Sequence, residues 1–152
     1  MMRLAWRIVK ARHEGTAFDG EGARVYGGRW NSTGTRLVYA SATLSLAALE
    51  SLVHLNPPVA FKWVAIPVSF EERFVEVMSL SSLPPDWTEE PPPPSTMEVG
   101  DLWVKQARSA VLEIPSVIVH SESNYLLNPA HPDFRNVAIG KSAPFAFDPR
   151  LL

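Results

Sequence analysis

The fold class is decided by the stretch Leu37-Val38-Tyr39-Ala40-Ser41-Ala42-Thr43-Leu44-Ser45-Leu46-Ala47-Ala48-Leu49-Glu50. Its first four residues form a short apolar run that is typical of a buried strand. Ser41 or Thr43 can then cap a helix over about Leu44 to His54, in which leucine and alanine recur at helical spacing and which Pro57-Pro58 ends. A strand followed at once by a helix indicates that both element types share one core.

Short strands are predicted on both sides of this stretch. Upstream, Leu4 to Val9 predict a strand, and the glycine-rich residues 13–36 predict a long irregular loop. Downstream, the patterns predict a helix over 97–109, a polar loop over 124–134, and strands over 59–68, 74–78, 111–114, 116–119, 136–139 and 145–147. We therefore expect an α+β fold with short mixed or antiparallel strands and a few helices.

A proline-rich segment divides the chain at about 84–95. The run Pro91 to Pro94 must be extended, which predicts a surface connector. The chain after the connector is too short to bury a comfortable core of its own. We therefore expect a single domain spanning residues 1–152.

Composition limits the possible functions. The 152 residues carry a net charge of −2, which argues against non-specific binding to nucleic acid. The chain has no cysteine, so disulfides, thiolate metal sites and a cysteine nucleophile are excluded. The four histidines are scattered without ligand spacing, so we expect no metal. Since no apolar run approaches about 20 residues, we expect no membrane partner and a cytoplasmic protein.

The first candidate binding element is the run Tyr26-Gly27-Gly28-Arg29-Trp30-Asn31. Two glycines allow a ligand to approach the backbone, and a guanidinium can bind phosphate oxygens through two parallel hydrogen bonds. The run matches neither a P-loop nor the dinucleotide-binding glycine fingerprint. A plain Gly-Gly turn with a surface Arg29 is the alternative interpretation.

Three further side chains could carry chemistry. Tyr39 at a strand end could stack on a ligand ring, or it could be an ordinary core residue. Glu50 on the predicted helix could face inward as a carboxylate in a partly apolar site, or outward to solvent. Ser116 could bind a ligand or satisfy its own backbone, and it lies in no Gly-x-Ser-x-Gly motif of a serine hydrolase.

Together and in this order, these motifs resemble the RES family. The resemblance covers almost the whole chain and rests on separated motifs that fall in register: Trp6-Arg7-Ile8, Gly22-Ala23, Gly27 to Asn31, Val38-Tyr39-Ala40, Ala48-Leu49-Glu50, Trp87, Gly100-Asp101 with Trp103, Val111-Leu112, Pro115-Ser116, and Asn124 to Phe134. The family is named for an Arg, a Glu and a Ser, which the resemblance assigns to Arg29, Glu50 and Ser116. Ser32 and Ser41 are further candidates for the serine. The proline-rich residues 89–94 depart from the family pattern.

The resemblance implies a fold similar to ADP-ribosyltransferase toxins, with NAD⁺ as substrate and no metal. It also implies a toxin of a bacterial toxin–antitoxin pair, with a cognate antitoxin that has an Xre-type DNA-binding domain. Some members of the family degrade NAD⁺, and others transfer ADP-ribose to a protein. Water, inorganic phosphate or a host protein could each accept the ADP-ribose. An RNA-cleaving toxin and an inactive binding module are more remote alternatives.

The implied chemistry gives each candidate a role. Glu50 stabilises the positive charge that develops on the ribose when nicotinamide leaves, and with an ordinary pKa of about 4.3 it would be ionised at neutral pH. Arg29, helped by Arg7, is expected to hold the pyrophosphate or the adjoining ribose, and Tyr39 to pack on the nicotinamide or its ribose. Tyr26 and Asn31 shape the loop beside the substrate, and Ser116 fixes a ribose hydroxyl or the carboxamide.

Overall fold

The structure is a computed structural model that describes residues 1–54 and 61–151. Its strands are β1 (Met2–Lys10), β2 (Val38–Ser41), β3 (Trp63–Glu71), β4 (Val75–Val77), β5 (Val111–Pro115), β6 (Ser123–Leu127), β7 (Ala138–Ile139) and β8 (Ala143–Phe145). Its α-helices are α1 (Glu21–Tyr26), α2 (Leu44–Leu52) and α3 (Pro94–Lys105). This arrangement confirms the α+β fold class.

One mixed sheet contains the eight strands of the described residues, in the order β4-β5-β6-β2-β1-β3-β7, with β8 also paired to β3. β1 and β3 pair in antiparallel fashion along their whole lengths, from Met2–Glu71 to Lys10–Trp63. β4 and β5 are parallel. In the described chain, β1 and β2 are paired only at Trp6 and Ser41, so the sheet opens between these two strands.

The two longer helices pack against this sheet. Thr43 caps α2, since its hydroxyl accepts a hydrogen bond from the backbone N–H of Leu46. Ala47 of α2 packs with Ile8 and Trp63 of the adjoining strands. Trp103 of α3 is fully buried in a second cluster, whose other buried members are Trp30, Leu37, Leu83, Leu112, Ile114 and Leu126.

Two predictions of secondary structure near the site were wrong. The polar loop predicted over 124–134 begins with β6, a strand buried between β5 and β2. The strand predicted over 116–119 is a turn, because the Ser116 hydroxyl accepts the backbone N–H groups of Ile118 and Val119 and so replaces the ladder partners.

Other boundaries shifted. The irregular loop predicted over 13–36 contains α1, and α3 begins at Pro94, since proline is well suited to the first turn of a helix. The helix predicted to reach His54 ends at Leu52. Pro57, Pro58 and the start of the strand predicted from Val59 lie outside the described residues. Within the described ranges, no helix is both long and apolar enough to cross a membrane.

Candidate active site

A cleft of about 970 Å³ lies where the sheet opens between β1 and β2. Its floor is formed by these strands and by Asn124 of β6, and α2 forms one wall. The Tyr26–Trp30 loop and the proline-rich connector form the opposite side. The cleft is lined by Arg7, Tyr26, Arg29, Tyr39 and Glu50 among the predicted site residues, whereas Asn31 and Ser116 lie behind its surface.

Glu50 on α2 turns its carboxylate into the cleft, although the helix pattern alone left an outward position equally possible. It is half-buried, and its Oε2 accepts a hydrogen bond from the Nδ2 of Asn124. Burial raises the pKa of Glu50, while the hydrogen bond from Asn124 and the charges of His54 and Arg29 act in the opposite direction. The expectation of an ordinary pKa was therefore wrong.

Asn124 opens the run 124–134, which the sequence favours as a rigid loop closed by its asparagines over a run that orients a substrate, and it was not predicted as a site residue. It lies in β6 directly opposite Ser41 of β2, and the Ser41 hydroxyl donates a 2.7 Å hydrogen bond to its Oδ1. Both side chains are buried. A buried asparagine in a strand is costly unless its amide is satisfied, which is a signal that a correct assignment of β6 would have made visible.

Ser116 lies behind the surface of the cleft. Its side chain is fully buried, and its oxygen accepts the backbone N–H groups of Ile118 and Val119. Its interaction with the Glu50 carboxylate counteracts the rise in the pKa of Glu50. His54, four residues after Glu50, lines the same cleft and was treated in the sequence analysis only as an isolated histidine.

The loop that carries Arg29 is held in a narrow turn. Gly27 has a φ of 70°, and a Cβ on Gly28 would stand 2.6 Å from the Tyr39 hydroxyl oxygen, so both positions require glycine. The Tyr39 hydroxyl accepts the backbone N–H of Trp30 and donates to Oδ1 of Asn31 at 2.6 Å. Tyr39 therefore presents its ring to the cleft while its hydroxyl fastens the loop.

Asn31 and Tyr26 are the two residues of this loop that differ most in solvent exposure. The amide of Asn31 is fully buried and donates to the backbone carbonyls of Ala23, Ser32 and Thr35. Tyr26 is 84% exposed at the mouth of the cleft. Asn31 thus shapes the loop from inside, and Tyr26 is free to contact whatever enters the cleft.

Arg29 is anchored to the proline-rich connector. Its Nη1 donates to the backbone carbonyls of Trp87 and Glu89, at 3.0 and 2.7 Å, and its Nη2 pairs with the carboxylate of Glu90. The connector is itself held by the ring of Trp87, which lies 4.9 Å from the ring of His120. The connector, expected to be a simple surface link, therefore forms part of the cleft.

Arg7 supplies a second guanidinium. Its Nε donates to the carbonyl of Ala17 at 2.6 Å and its Nη1 donates to the carbonyl of Tyr39 at 2.9 Å. Desolvation lowers the pKa of Arg7 to about 10, and no carboxylate of the described residues lies within ion-pair distance of it. A buried cation without a carboxylate partner favours an anionic ligand in this cleft.

In residues 1–54 and 61–151, no group of three or more His, Asp or Glu side chains could hold a metal ion. The cleft offers the half-buried carboxylate of Glu50, the exposed carboxylate of Glu90, two guanidinium groups and four aromatic side chains. This set can bind an anionic ligand and stabilise a positive charge that develops beside the carboxylate.

The chain belongs to the RES domain family, whose sequence model matches residues 4–148. A relative named "Prs ADP-ribosylating toxin", from Sphingobium sp. (strain YBL2), is 40% identical, and the alignment covers 97% of this chain and 95% of the relative. A protein named "Toxin Res" from Yersinia enterocolitica is 35% identical, with 97% and 99% coverage. Another "Toxin Res", from Photorhabdus laumondii, is 33% identical, with 98% and 97% coverage.

A solved structure supports the fold. A chain from the crystal structure of the M. tuberculosis MbcT–MbcA toxin–antitoxin complex superimposes with a TM-score of 0.77 and 13% sequence identity, covering 96% of this chain and 85% of that chain. The resemblance to the RES family that the sequence motifs indicated is thus confirmed.

Proposed function

We propose that this protein is the toxin of a bacterial toxin–antitoxin pair and that it cleaves the bond between nicotinamide and ribose in NAD⁺. The observation that carries the proposal is the shared cleft, in which the carboxylate of Glu50 faces the same cavity as the guanidinium groups of Arg7 and Arg29. NAD⁺ combines a diphosphate with a cationic leaving group, and the two kinds of side chain match these two parts of the substrate.

Glu50 would act on the reacting ribose. As the C1′–N1 bond breaks, its electron pair passes to the nicotinamide ring, which neutralises the ring, and positive charge develops on the ribose. A nearby carboxylate stabilises that charge and can orient the incoming nucleophile. Asn124 holds the carboxylate through a hydrogen bond, which keeps it in place for this task.

Arg7 and Arg29 would hold the diphosphate. A guanidinium binds two phosphate oxygens at once, and Arg7 has no carboxylate of the described chain to compete with them. Tyr39 presents its ring for the nicotinamide or its ribose, and Tyr26 can close over the bound molecule from the mouth of the cleft.

The oxygen that attacks the ribose decides which reaction results. Water would yield ADP-ribose and a proton, inorganic phosphate would yield a phosphorylated ADP-ribose, and a protein side chain would yield an ADP-ribosylated target. The open cleft mouth admits water and phosphate, and we favour cleavage of free NAD⁺. Transfer to a host protein is the second candidate, supported by the Sphingobium relative whose name describes an ADP-ribosylating toxin.

A partner follows from this activity. A protein that depletes NAD⁺ would arrest its own cell, so we propose a cognate antitoxin of the Xre type and activity in the cytoplasm. The solved relative comes from a toxin–antitoxin complex, which supports a partner of this kind. An RNA-cleaving toxin and an inactive binding module have no comparable support from the cleft.

The test is nicotinamide release from NAD⁺ by the purified protein, with and without inorganic phosphate. Glu50→Gln keeps the size of the side chain and removes its charge, so we expect at least a hundredfold loss of rate, on the order of a lost charge-stabilising group. Glu98→Gln changes an exposed carboxylate on α3 and serves as the control. Intact NAD⁺ under all conditions would refute cleavage of free NAD⁺, and labelled ADP-ribose on a protein would then favour the second candidate.

A further inference from the structure

We infer that Asn124 is a positioning residue for Glu50 and that Ser41 anchors its amide from the opposite side. The inference deepens the proposed function and rests on it, since the role of Glu50 in NAD⁺ cleavage belongs to that proposal. Three groups on three separate segments form the chain: Ser41 Oγ donates to Asn124 Oδ1, and Asn124 Nδ2 donates to Glu50 Oε2.

The direction of these hydrogen bonds follows from the donors available. A carboxylate can only accept, so Asn124 must turn its Nδ2 toward Glu50. Its Oδ1 then points to β2, where the Ser41 hydroxyl provides the hydrogen that this oxygen needs. If the amide were reversed, its oxygen would face the Glu50 carboxylate without a hydrogen between them. The Ser41 hydroxyl can accept or donate, so the carboxylate sets the orientation of Asn124 and Ser41 anchors the amide oxygen.

The sheet makes this geometry rigid. Ser41 and Asn124 are directly paired across β2 and β6, so neither backbone can shift without breaking the ladder. Ser41 is 3% exposed and Asn124 is 8% exposed, which leaves little solvent to replace the lost contacts. Glu50 on α2, in contrast, is half-buried and has a flexible side chain whose orientation depends on these partners.

The other groups around Glu50 cannot substitute for Asn124. Ser116 approaches from the turn after β5, Arg29 acts from its loop through its charge, and His54 acts from one turn further along α2. The oxygen of Ser116 is fixed by two backbone N–H groups. Removing Asn124 would take away the hydrogen bond that orients the Glu50 carboxylate.

The experiment titrates the Glu50 carboxyl by ¹³C NMR, assigned with Glu50→Gln, and measures NAD⁺ cleavage against pH in parallel. In Asn124→Ala we expect the pKa of Glu50 to rise, kcat to fall about tenfold or more and KM to change little, because a hydrogen bond to a charged group is lost. Ser41→Ala should shift the same quantities less, and it remains informative if Asn124→Ala does not fold. Asn128→Ala is the control, since Asn128 is buried to a similar degree but bonds the backbone of Ala130.

Each outcome decides the inference. A Glu50 titration and kcat that match those of Asn128→Ala, in both Asn124→Ala and Ser41→Ala, would overturn it. If the titration shifts as expected while wild-type protein leaves NAD⁺ intact, the contact with Glu50 stands and the proposed function fails. If wild-type protein cleaves NAD⁺ and the titration does not shift, the proposed function stands and the positioning role fails.

Glu90 of the connector lines the cleft beside Arg29 and pairs with it. We propose that Glu90 is a built-in competitor for the anion-binding edge of Arg29, a role that again rests on the proposed function. Both hydrogens of Arg29 Nη1 are used by the backbone carbonyls of Trp87 and Glu89, which move only if the connector moves. Nη2 is paired with the Glu90 carboxylate, whose side chain is 71% exposed and can swing aside.

A diphosphate oxygen that binds Arg29 Nη2 must therefore displace Glu90. The competition weakens substrate binding by the free energy of the Arg29–Glu90 pair, since the unpaired state is the one that binds. An ion pair whose carboxylate is as exposed as that of Glu90 changes affinity by a factor of about two to five. The acidic connector would thus lower the affinity of the cleft for NAD⁺ without touching the reacting ribose.

Calorimetry with NAD⁺ and with inorganic pyrophosphate tests this, using Glu90→Gln and the matched control Glu89→Gln, which removes the same charge one residue away. We expect Kd to fall about two- to fivefold for Glu90→Gln alone. Equal Kd values in both variants, or weaker binding in Glu90→Gln, would overturn the competition. Pyrophosphate binding that depends on Glu90 without any NAD⁺ binding would retain the competition and count against NAD⁺ as substrate. If neither NAD⁺ nor pyrophosphate binds to any variant, both the competition by Glu90 and NAD⁺ as the substrate would be overturned.

Discussion

Gly100 of α3 packs directly on the backbone carbonyl of Trp30, so that a Cβ at position 100 would stand 1.7 Å from that oxygen. The next residue, Asp101, accepts hydrogen bonds from the backbone N–H of Ser32 at 3.0 Å and from its hydroxyl at 2.5 Å. Helix α3 therefore holds the loop that follows Arg29 through two adjacent residues. The position of Arg29 in the cleft depends on this helix, although α3 contributes no side chain to the lining.

The variant Gly100→Ala should destabilise the protein strongly. The added methyl group meets backbone and not a flexible side chain, so either α3 or the Trp30 loop must move, at a cost of about 3 kcal/mol. Gly22→Ala in α1 is the matched control, because a Cβ there has no heavy atom within 4 Å and alanine favours a helix by up to about 1 kcal/mol. Chemical denaturation of both variants measures the difference. Equal stabilities would contradict the close contact.

Glu50→Gln should become more stable relative to wild type as pH rises above the ordinary Glu pKa of 4.5. Burial raises the pKa of Glu50 in the folded state, so in the window above 4.5 the folded protein holds a proton that the unfolded chain has released. Wild-type stability therefore falls as pH rises through this window, whereas glutamine does not titrate. Thermal denaturation of both proteins between pH 4 and 8 tests this, and a difference in Tm that is constant with pH would contradict it.

The pH dependence of catalysis should follow the same group. If ionised Glu50 stabilises the ribose cation, kcat for NAD⁺ cleavage should fall on acidification, and the midpoint should lie above 4.5 because burial raises the pKa. The midpoint of the kcat profile should agree with the pKa of Glu50 that NMR measures in the protein without substrate, provided that bound substrate does not shift this pKa. A rate that is flat from pH 4 to 8 would contradict an ionised Glu50 as the acting species.

Much of this site could be predicted from the sequence, because it lies near strong local signals. The Gly27-Gly28 pair marks a turn, and the Thr43 cap followed by helical spacing marks α2, so Arg29, Tyr39 and Glu50 could be placed on a loop, a strand and a helix. That they face one cleft could not be read from periodicity. It depends on the opening between β1 and β2, a long-range property of the sheet.

The errors lie where a local pattern competes with a tertiary one. Ser123 to Leu127 looks like the start of a polar loop, because the asparagines and prolines that follow dominate the pattern, yet its alternating side chains pack on both faces of the sheet. Missing this strand hid Asn124. The contribution of the connector to the cleft was missed for another reason. An extended proline run predicts its own conformation, but it does not predict that the neighbouring residue Glu90 pairs with Arg29.

Tyr39→Phe should loosen the Arg29 loop while keeping the ring in the cleft. It removes a hydroxyl that accepts from Trp30 N and donates to Asn31, and we expect a loss of stability of about 1–3 kcal/mol because buried partners lose a hydrogen bond. KM for NAD⁺ should rise, since Arg29 is less well held. Tyr26→Phe, at an 84% exposed position, is the control and should leave stability unchanged. The opposite ranking would show that the Tyr39 hydroxyl does not fasten the loop.

Inorganic pyrophosphate should raise the Tm of the wild-type protein, and Arg7→Gln should lose most of this increase. The guanidinium of Arg7 is buried and its pKa is lowered to about 10 by desolvation, so an anion that enters the cleft relieves the cost of the buried charge. A ligand that binds only the folded state stabilises it by about 2.7 kcal/mol at one hundred times its Kd. Glutamine removes the charge while retaining an amide donor, which separates the electrostatic contribution from the hydrogen bonds to Ala17 and Tyr39.

The matched control for Arg7 is Arg73→Gln, which removes an equal charge from a surface pair with Glu71 outside the cleft. Differential scanning fluorimetry with increasing pyrophosphate, at constant ionic strength, gives the increase in Tm for each protein. Since Arg29 remains in Arg7→Gln, a small residual increase is expected, and it should grow when Glu90→Gln is added because Arg29 then has no carboxylate partner. A full increase in Arg7→Gln would place the anion elsewhere and remove Arg7 from the binding site.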